Sequence, residues 1–412
     1  MEKSKAIYSK NEWRLFKIVL LIMAFISLMC WPSLNIPKLP LVLTYFVIFV
    51  YYILRPLYWE ITYRKVVYGL AIELLMFYVA DKVDSINMVI YTICNSLPII
   101  TLVLLKKGYL LNLFESFQNI LSLVLTVSAF FWILHLIGID LPYTELYYGE
   151  KEGVGGAMVD MYYFHNHYLY LVDQSWMMDL IEGNIPSFLR FSSVFLEPGY
   201  LAILMCFLLF INEFNFKDKR NIVYLITLLL TISLAGLIMG LFAYIAHILR
   251  TTNYRLLALV GVFVLALGFY AFFSTYNNGN NIVNEMLLSR LELDQEKGIV
   301  GNNRTSSDLD LQFKQTLEST DIVFGIGDST KLAYGVGYKP FIIKNGLFGL
   351  FLFLFYIIGI SRTYRSYRST ILCILYILMF YRGHVTMFWS SFMLVYIAGV
   401  LQTQFQNKYD IV

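Results

Sequence analysis

Apolar runs of about 15 to 22 residues recur from one end of the chain to the other, separated by short polar stretches. They are too long and too uniformly apolar for strands, and they show no alternating period. Each predicts a helix that is hydrophobic on all sides. The runs lie near 15–33, 40–57, 66–80, 86–105, 117–138, 196–214, 221–234, 235–249, 256–274, 341–360, 369–381 and 384–402. The pair at 221–249 reads as two short helices broken around Ser233 to Gly236, or as one long helix. Two stretches resist the pattern, about 139–195 and about 275–340, and these are read as loops.

Composition explains why so many apolar runs can coexist. Of the 412 residues 58% are hydrophobic and only 14% charged, and the mean hydropathy is +0.65. A soluble domain carries roughly 25% charged residues. One core cannot hide this much apolar surface, so the solvent must be lipid. The expected fold is therefore all-α: a polytopic integral membrane protein of about twelve transmembrane helices with two large extracytoplasmic loops. Its parts are helices 1–5 in residues 1–138, a first loop at 139–195, helices 6–9 in 196–274, a second loop at 275–340, and helices 10–12 in 341–412. The basic start followed by an apolar run resembles a signal segment, but no small-residue cleavage site follows; it is read as an uncleaved first helix.

Charge then sets the orientation. With a cytoplasmic N-terminus, nineteen of the thirty-one basic residues fall in or beside inside segments. The short outside turns hold only Lys38, Lys82 and Arg382. This positive-inside bias favours twelve spans with both termini cytoplasmic. One helix at 221–249 would carry the arginines at 362, 365 and 368 outside and spoil it. The net charge of +3 implies no nucleic-acid partner. The four cysteines, Cys30, Cys94, Cys206 and Cys373, fall in apolar runs and are read as buried thiols. There is no GxxxxGK[ST] phosphate loop, so the chemistry is expected at the outer face without a nucleotide or other cofactor.

Polar residues in and beside the loops carry the candidate chemistry. The first loop closes with LRFSSVFLEPGYLAIL. Glu197 and Pro198 there suit a helix N-terminus, so Glu197 is either a cap or a working carboxylate. Arg190 stands in a loop with eight acids and one other base, Lys151. It can serve an ion pair, a lipid headgroup or a diphosphate, for which guanidinium offers a planar fork of donors. His165 and His167 are candidates for proton transfer or substrate contact, with solvent-exposed inert histidines the alternative. In the second loop Arg304 precedes an amphipathic helix, and Phe324-Gly325-Ile326-Gly327 reads as a turn with close backbone approach. Asp308-Leu309-Asp310 fits a metal-binding pattern, but two acids on an exposed helix face explain it equally well, and no metal site is assigned. Arg382 and His384 occupy a very short outer turn near the C-terminus; charge at that depth is costly and often functional, though Arg382 can also snorkel. His135, His247 and Glu73 lie within spans, where a helix–helix hydrogen bond is the default reading.

With these residues in place, the chain resembles the Wzy-type bacterial surface-polysaccharide polymerases of the O-antigen polymerase and ligase family. The stretch RFSSVFLEPGYLA looks like that family's return motif, and Arg304 followed by FGIG and NGLFGLF looks like its second-loop pattern. Arg382 resembles an arginine of the last outer turn. TISLAG lacks the Ser-Arg of the ligase-like branch, which favours a polymerase. The resemblance implies oligosaccharide repeats on undecaprenyl diphosphate as substrates, joined at the outer face of the bacterial plasma membrane, independently of metal or nucleotide. It further implies Arg190 and Arg304 on the diphosphate with Glu197 as catalytic groups, Arg382, His384, His165 and His167 as substrate contacts, and membrane lipid, a chain-length regulator and a flippase as partners. An O-antigen-ligase-like transferase and a lipid-linked oligosaccharide flippase are the alternatives.

Overall fold

The computed structural model describes residues 12–22, 46–47, 50, 54, 58–79, 100–147, 150–152, 158–160, 163–167, 171–173, 190–195, 198–251, 253–291, 293–294, 298–299, 307–327, 332–333, 337–363 and 367–382. Helices form its frame: α1 (Tyr63–Val79), α2 (Lys107–Leu136), α3 (Pro198–Ile211), α4 (Lys219–Leu230), α5 (Leu234–Thr251), α6 (Arg255–Thr275), α7 (Ser307–Glu318), α8 (Asp321–Phe324), α9 (Tyr338–Thr363) and α10 (Tyr367–Arg382). Among the described residues, short strands form in the two loops. In the first, β1 (Thr144–Tyr147), β4 (Tyr163–His167) and β5 (Leu171–Asp173) make an antiparallel sheet in the order β1-β4-β5, and β2 (Glu150–Glu152) pairs with β3 (Met158–Asp160). In the second, β6 (Leu293–Asp294) pairs with β7 (Gly298–Ile299).

Among the described residues, four helical stretches are long and apolar enough to cross a bilayer: Gly108–Leu136, Leu234–Thr251, Arg255–Gly279 and Tyr338–Phe355. The protein is accordingly membrane-embedded. The expected spans at 40–57, 86–105 and 384–402 lie wholly or mostly outside the described residues, as does the later part of 15–33. The chain falls into two compact units, one of residues 1–28, 36–117 and 304–412, the other of 29–35 and 118–303.

In the first unit the FGIG end of the second loop is stitched to a broken helix. α9 breaks at Gly346, whose φ of 64° and ψ of −174° lie outside the helical region. The break leaves carbonyls without intrahelical partners. Ile326 N–H donates to the Ile343 carbonyl at 2.9 Å and Gly327 N–H to the Lys344 carbonyl at 2.9 Å. A Cβ on Gly325 would overlap Lys344, and one on Gly346 would overlap Val323. The FGIG turn and the NGLFGLF stretch are thus two halves of one backbone junction. Tyr78 Oη donates to the Phe324 carbonyl at 2.8 Å, and Lys344 Nζ donates to the Val79 carbonyl at 3.0 Å, a cation at the C-terminus of α1. Asp310 is committed to Lys339 at 2.7 Å, and no cluster of three metal-binding side chains occurs among the described residues.

The second unit is built on three short helices. α3 is apolar all round and buries nearly its whole surface. α5 runs alongside it in the same direction: Cys206 Sγ donates to the Gly236 carbonyl at 3.0 Å, and near the other end Phe214 meets Tyr244 and His247 at 5.1 and 5.5 Å between ring centroids. A Cβ on Gly236 would overlap Ala202, so only glycine permits this approach. α4 and α5 are separate helices, as the charge bias favoured. The break falls at Thr231 to Ser233, slightly before the expected Ser233 to Gly236. Ile232 takes a φ of 44° there, an outlier for a β-branched residue. Ser233 Oγ accepts from Gly236 N–H at 3.3 Å and so caps α5.

At the basic end of the trio the polar side chains satisfy one another. Asn212 Nδ2 donates to Gln118 Oε1 at 2.6 Å and to Asn221 Oδ1 at 2.8 Å. Tyr224 Oη donates to the Gln118 carbonyl at 3.1 Å. Asp218 caps α4 through Arg220 N–H at 3.0 Å and pairs with the Arg220 guanidinium, which also reaches Asn119 at 2.9 Å.

Candidate functional site

One face of α2 organises the site in the second unit. Ser128, Trp132 and His135 are spaced i, i+4, i+7 and share a helix face. Each meets a different part of the first loop. Ser193 Oγ donates to Ser128 Oγ at 2.7 Å, both side chains fully buried. Trp132 packs edge-on against Phe191, with ring centroids 5.8 Å apart. His135 meets His167 of β4 at 5.6 Å, and Tyr143 approaches the same imidazole at 5.7 Å.

Arg190 begins the segment that leads back into the bundle. Its Nε donates to the Thr231 carbonyl at 3.0 Å, and Phe191 N–H donates to the Leu230 carbonyl at 3.2 Å. The α4–α5 break thus finds partners for carbonyls that the helix end releases. The guanidinium charge also opposes the negative end of the α4 dipole. Residues 191–195 are all buried, while Arg190 is only partly so. Ser193 adopts a φ of 53°, a left-handed conformation that costs about 1 kcal/mol or more and is held by the surrounding structure. Two strained residues, Ser193 and Ile232, therefore flank the same junction.

The sequence-expected residues fare differently. Arg190 and His167 belong to one unit: Arg190 bonds the end of α4, and His167 meets His135 on α2. His167 is buried rather than solvent-exposed. For His165 the backbone places it in β4, in register with Glu145 on β1 and Asp173 on β5. Arg382 ends α10, where its backbone alone is described. Glu197, Arg304 and His384 lie outside the described residues. Of the three arginines expected to converge, Arg190 alone has a described side chain.

Ser128, Trp132, Tyr143 and Thr231 were missed by sequence reasoning, and His135 was read as a helix–helix contact. The Ser128-Trp132-His135 spacing was a visible signal, since it puts polar and amphipathic groups on one face of an otherwise apolar helix. The junction thus gathers a partly buried guanidinium, a buried pair of mutually bonded serine hydroxyls and two imidazoles. No protein-family model matches the chain, and neither does any curated protein or solved structure.

Proposed function

We propose that the protein is a lipid-linked oligosaccharide polymerase of the bacterial plasma membrane, a glycosyltransferase of the Wzy type. It has twelve spans, both termini in the cytoplasm, and its working face outward. The observation that carries this reading is the stretch RFSSVFLEPGYLA, which closes an acid-rich loop and ties Arg190 to a helix break beside a buried serine pair.

In the proposed reaction a hydroxyl of one undecaprenyl-diphosphate-linked repeat attacks the anomeric carbon of another. The new glycosidic bond forms as the carbon–oxygen bond to diphosphate breaks, and undecaprenyl diphosphate leaves. Arg190, Arg304 and Arg382 neutralise the charge that develops on the leaving group. The acceptor proton passes to Glu197, or to His165 or His167, with His384 as a further substrate contact. The energy resides in the glycosyl–diphosphate bond, so neither nucleotide nor metal is required. A chain-length regulator and a flippase are the proposed protein partners.

One observation favours a second reading. Gly346 interrupts α9 part-way along an apolar helix, and discontinuous helices are common in transporters. A flippase would move the repeat without joining it. Purified protein given only lipid-linked repeats separates the readings: a polymerase builds a ladder of products, a ligase needs a different acceptor, and a flippase changes only the leaflet. Arg190→Ala and Arg304→Ala should each abolish long products while the protein still reaches the membrane. Normal chain lengths from both variants would overturn the polymerase reading.

A further inference from the structure

Aromatic rings hold three stretches of the first unit together. The helical segment 12–22 brings Trp13 and Phe16, the stretch before α1 brings Tyr58 and Trp59, and α2 brings Tyr109. Trp13 lies 4.5 Å from Tyr109 and 5.9 Å from Tyr58 between ring centroids, and Phe16 lies 5.8 Å from Trp59. The backbone is paired there too: Glu60 N–H donates to the Leu104 carbonyl at 2.8 Å and Lys106 N–H to the Tyr58 carbonyl at 2.9 Å. Asn112 closes the junction, its Oδ1 accepting from Trp13 Nε1 at 3.2 Å and from Lys17 Nζ at 3.1 Å. Cations gather on this frame. Arg14, Lys17, Arg64, Lys65 and Lys106 stand there against Glu12, Glu60 and Glu115. Lys65 is committed to Glu60 at 2.9 Å and to the Leu105 carbonyl at 3.1 Å. Arg14, Arg64 and Lys106 are exposed, and none of the three makes an ion pair among the described residues.

We infer that this junction holds an anionic phospholipid, its phosphate among Arg14, Arg64 and Lys106 and its acyl chains against the helices that follow. Both helices continue from their cations into exposed apolar stripes. After Arg14 come Leu15, Ile18 and Ile22; after Arg64 come Val67, Leu70 and Leu74. Each set is spaced i, i+3, i+7 and so shares one helix face. Free cations at one end and an exposed apolar stripe leading away from them match an amphiphile with an anionic head. A soluble anion would use the cations and leave the stripes bare. A zwitterionic lipid would bring a positive charge of its own to a place already rich in them. Tryptophan and tyrosine beside lysine and arginine are also the side chains that favour a headgroup layer, and basic pockets between membrane helices bind anionic headgroups. The ring cluster fixes the cation-bearing backbone in advance, which lowers the ordering cost of binding. The site depends neither on the polymerase reading nor on the direction of insertion, because its residues are apart from the Arg190 junction and both leaflets offer phospholipid.

The test uses the full chain in phosphatidylcholine nanodiscs containing increasing phosphatidylglycerol, with the thermal unfolding midpoint as readout. One variant carries Arg14→Gln, Arg64→Gln and Lys106→Gln. A control carries Lys217→Gln, Lys219→Gln and Arg255→Gln, which removes the same charge from exposed positions of the second unit. Phosphatidylglycerol should raise the midpoint of the wild type and of the control, because a ligand that binds only the folded state stabilises it. The junction variant should lose most of that rise. Soluble glycerol phosphate should raise none of the three. No rise in the wild type, an equal rise in all three proteins, or equal loss in both variants overturns the site, the last by reducing the effect to surface charge. A rise with glycerol phosphate as large as that with the lipid also overturns it, leaving a site for free anions. A second measurement needs no charge variant. Phosphatidylglycerol with brominated acyl chains should quench the part of the tryptophan emission that Trp13→Phe removes, and brominated phosphatidylcholine at the same fraction should quench it less. Equal quenching by the two lipids overturns the inference.

Discussion

Under the proposed polymerase reading Arg190 serves two purposes with different chemical demands, and substitution separates them. Capping α4 needs a positive charge near the last carbonyls, which lysine also supplies. Gripping a diphosphate needs the planar fork, which lysine lacks. Arg190→Lys should therefore stay folded, within about 1 kcal/mol of wild type, yet lose about tenfold or more in polymer formation. Equal loss of stability and activity would reduce Arg190 to a cap. The Ser128–Ser193 bond gives a second residue-scale test. Both hydroxyls are buried, so either single alanine variant strands its partner and should cost about 1–2 kcal/mol, while the double variant should cost little more than one. Additive losses in thermal unfolding would mean that the two hydroxyls do not depend on each other. Asp218 belongs to the pH dependence. Hydrogen bonds from the Arg220 side chain hold its carboxyl below the usual carboxylate range, outweighing partial burial, which pushes it up. A depressed folded-state value contributes stability that is complete above the unfolded value, near pH 3.9, and disappears as pH falls through the lower folded value. Solvent screening limits the pair to about 0.5 kcal/mol. Asp218→Asn, which keeps a capping oxygen, should flatten the acid limb below pH 4 and leave its neutral-pH stability nearly unchanged.

At the scale of elements, the breaks matter more than the helices. Gly346 holds a backbone conformation that only glycine adopts readily, and its missing Cβ makes room for Val323. Gly346→Ala should cost about 3 kcal/mol or more and detach the FGIG turn from α9. Gly108→Ala, in a helical turn with open space around it, should be neutral or slightly stabilising, by about 0.5 kcal/mol. Equal effects of the two changes on thermal unfolding would show that the junction contributes nothing. These breaks were partly legible in the sequence. The FGIG stretch was read as a turn with close approach, because glycine marks such places locally, and NGLFGLF only as part of a second-loop pattern. That the two fit each other was not legible, since the fit joins backbones far apart in sequence. Arg190 was legible as an isolated cation, but its partner is a main-chain carbonyl at Thr231, which no side-chain pattern announces. The short strands of the first loop escaped for a related reason: β1, β4 and β5 pair through backbone groups, and their sequences show no sustained alternation.

Across the whole molecule, hydropathy revealed the membrane and could not say which helix faces it. α3 and α6 are both apolar on every side, yet α3 is buried along nearly its whole length while α6 buries no residue. Composition alone cannot separate a central helix from one that faces lipid, because lipid and protein interior are equally apolar. Direction of insertion, by contrast, rests on charge, which composition does record. The exposed lysines at 217 and 219 and Arg190, which closes the acid-rich loop, lie at opposite ends of the α3–α4–α5 trio, so one labelling experiment tests both. Membrane-impermeant maleimide on intact cells should modify Glu152→Cys and Ser307→Cys, and should reach Lys217→Cys only after permeabilisation. Basic residues resist translocation, and so many of them on one side fix the polarity of the bundle. Labelling of position 217 in intact cells would turn Arg190 toward the cytoplasm. Repeats already moved to the outer leaflet could not then be the substrate, and an enzyme acting before translocation would take the polymerase's place.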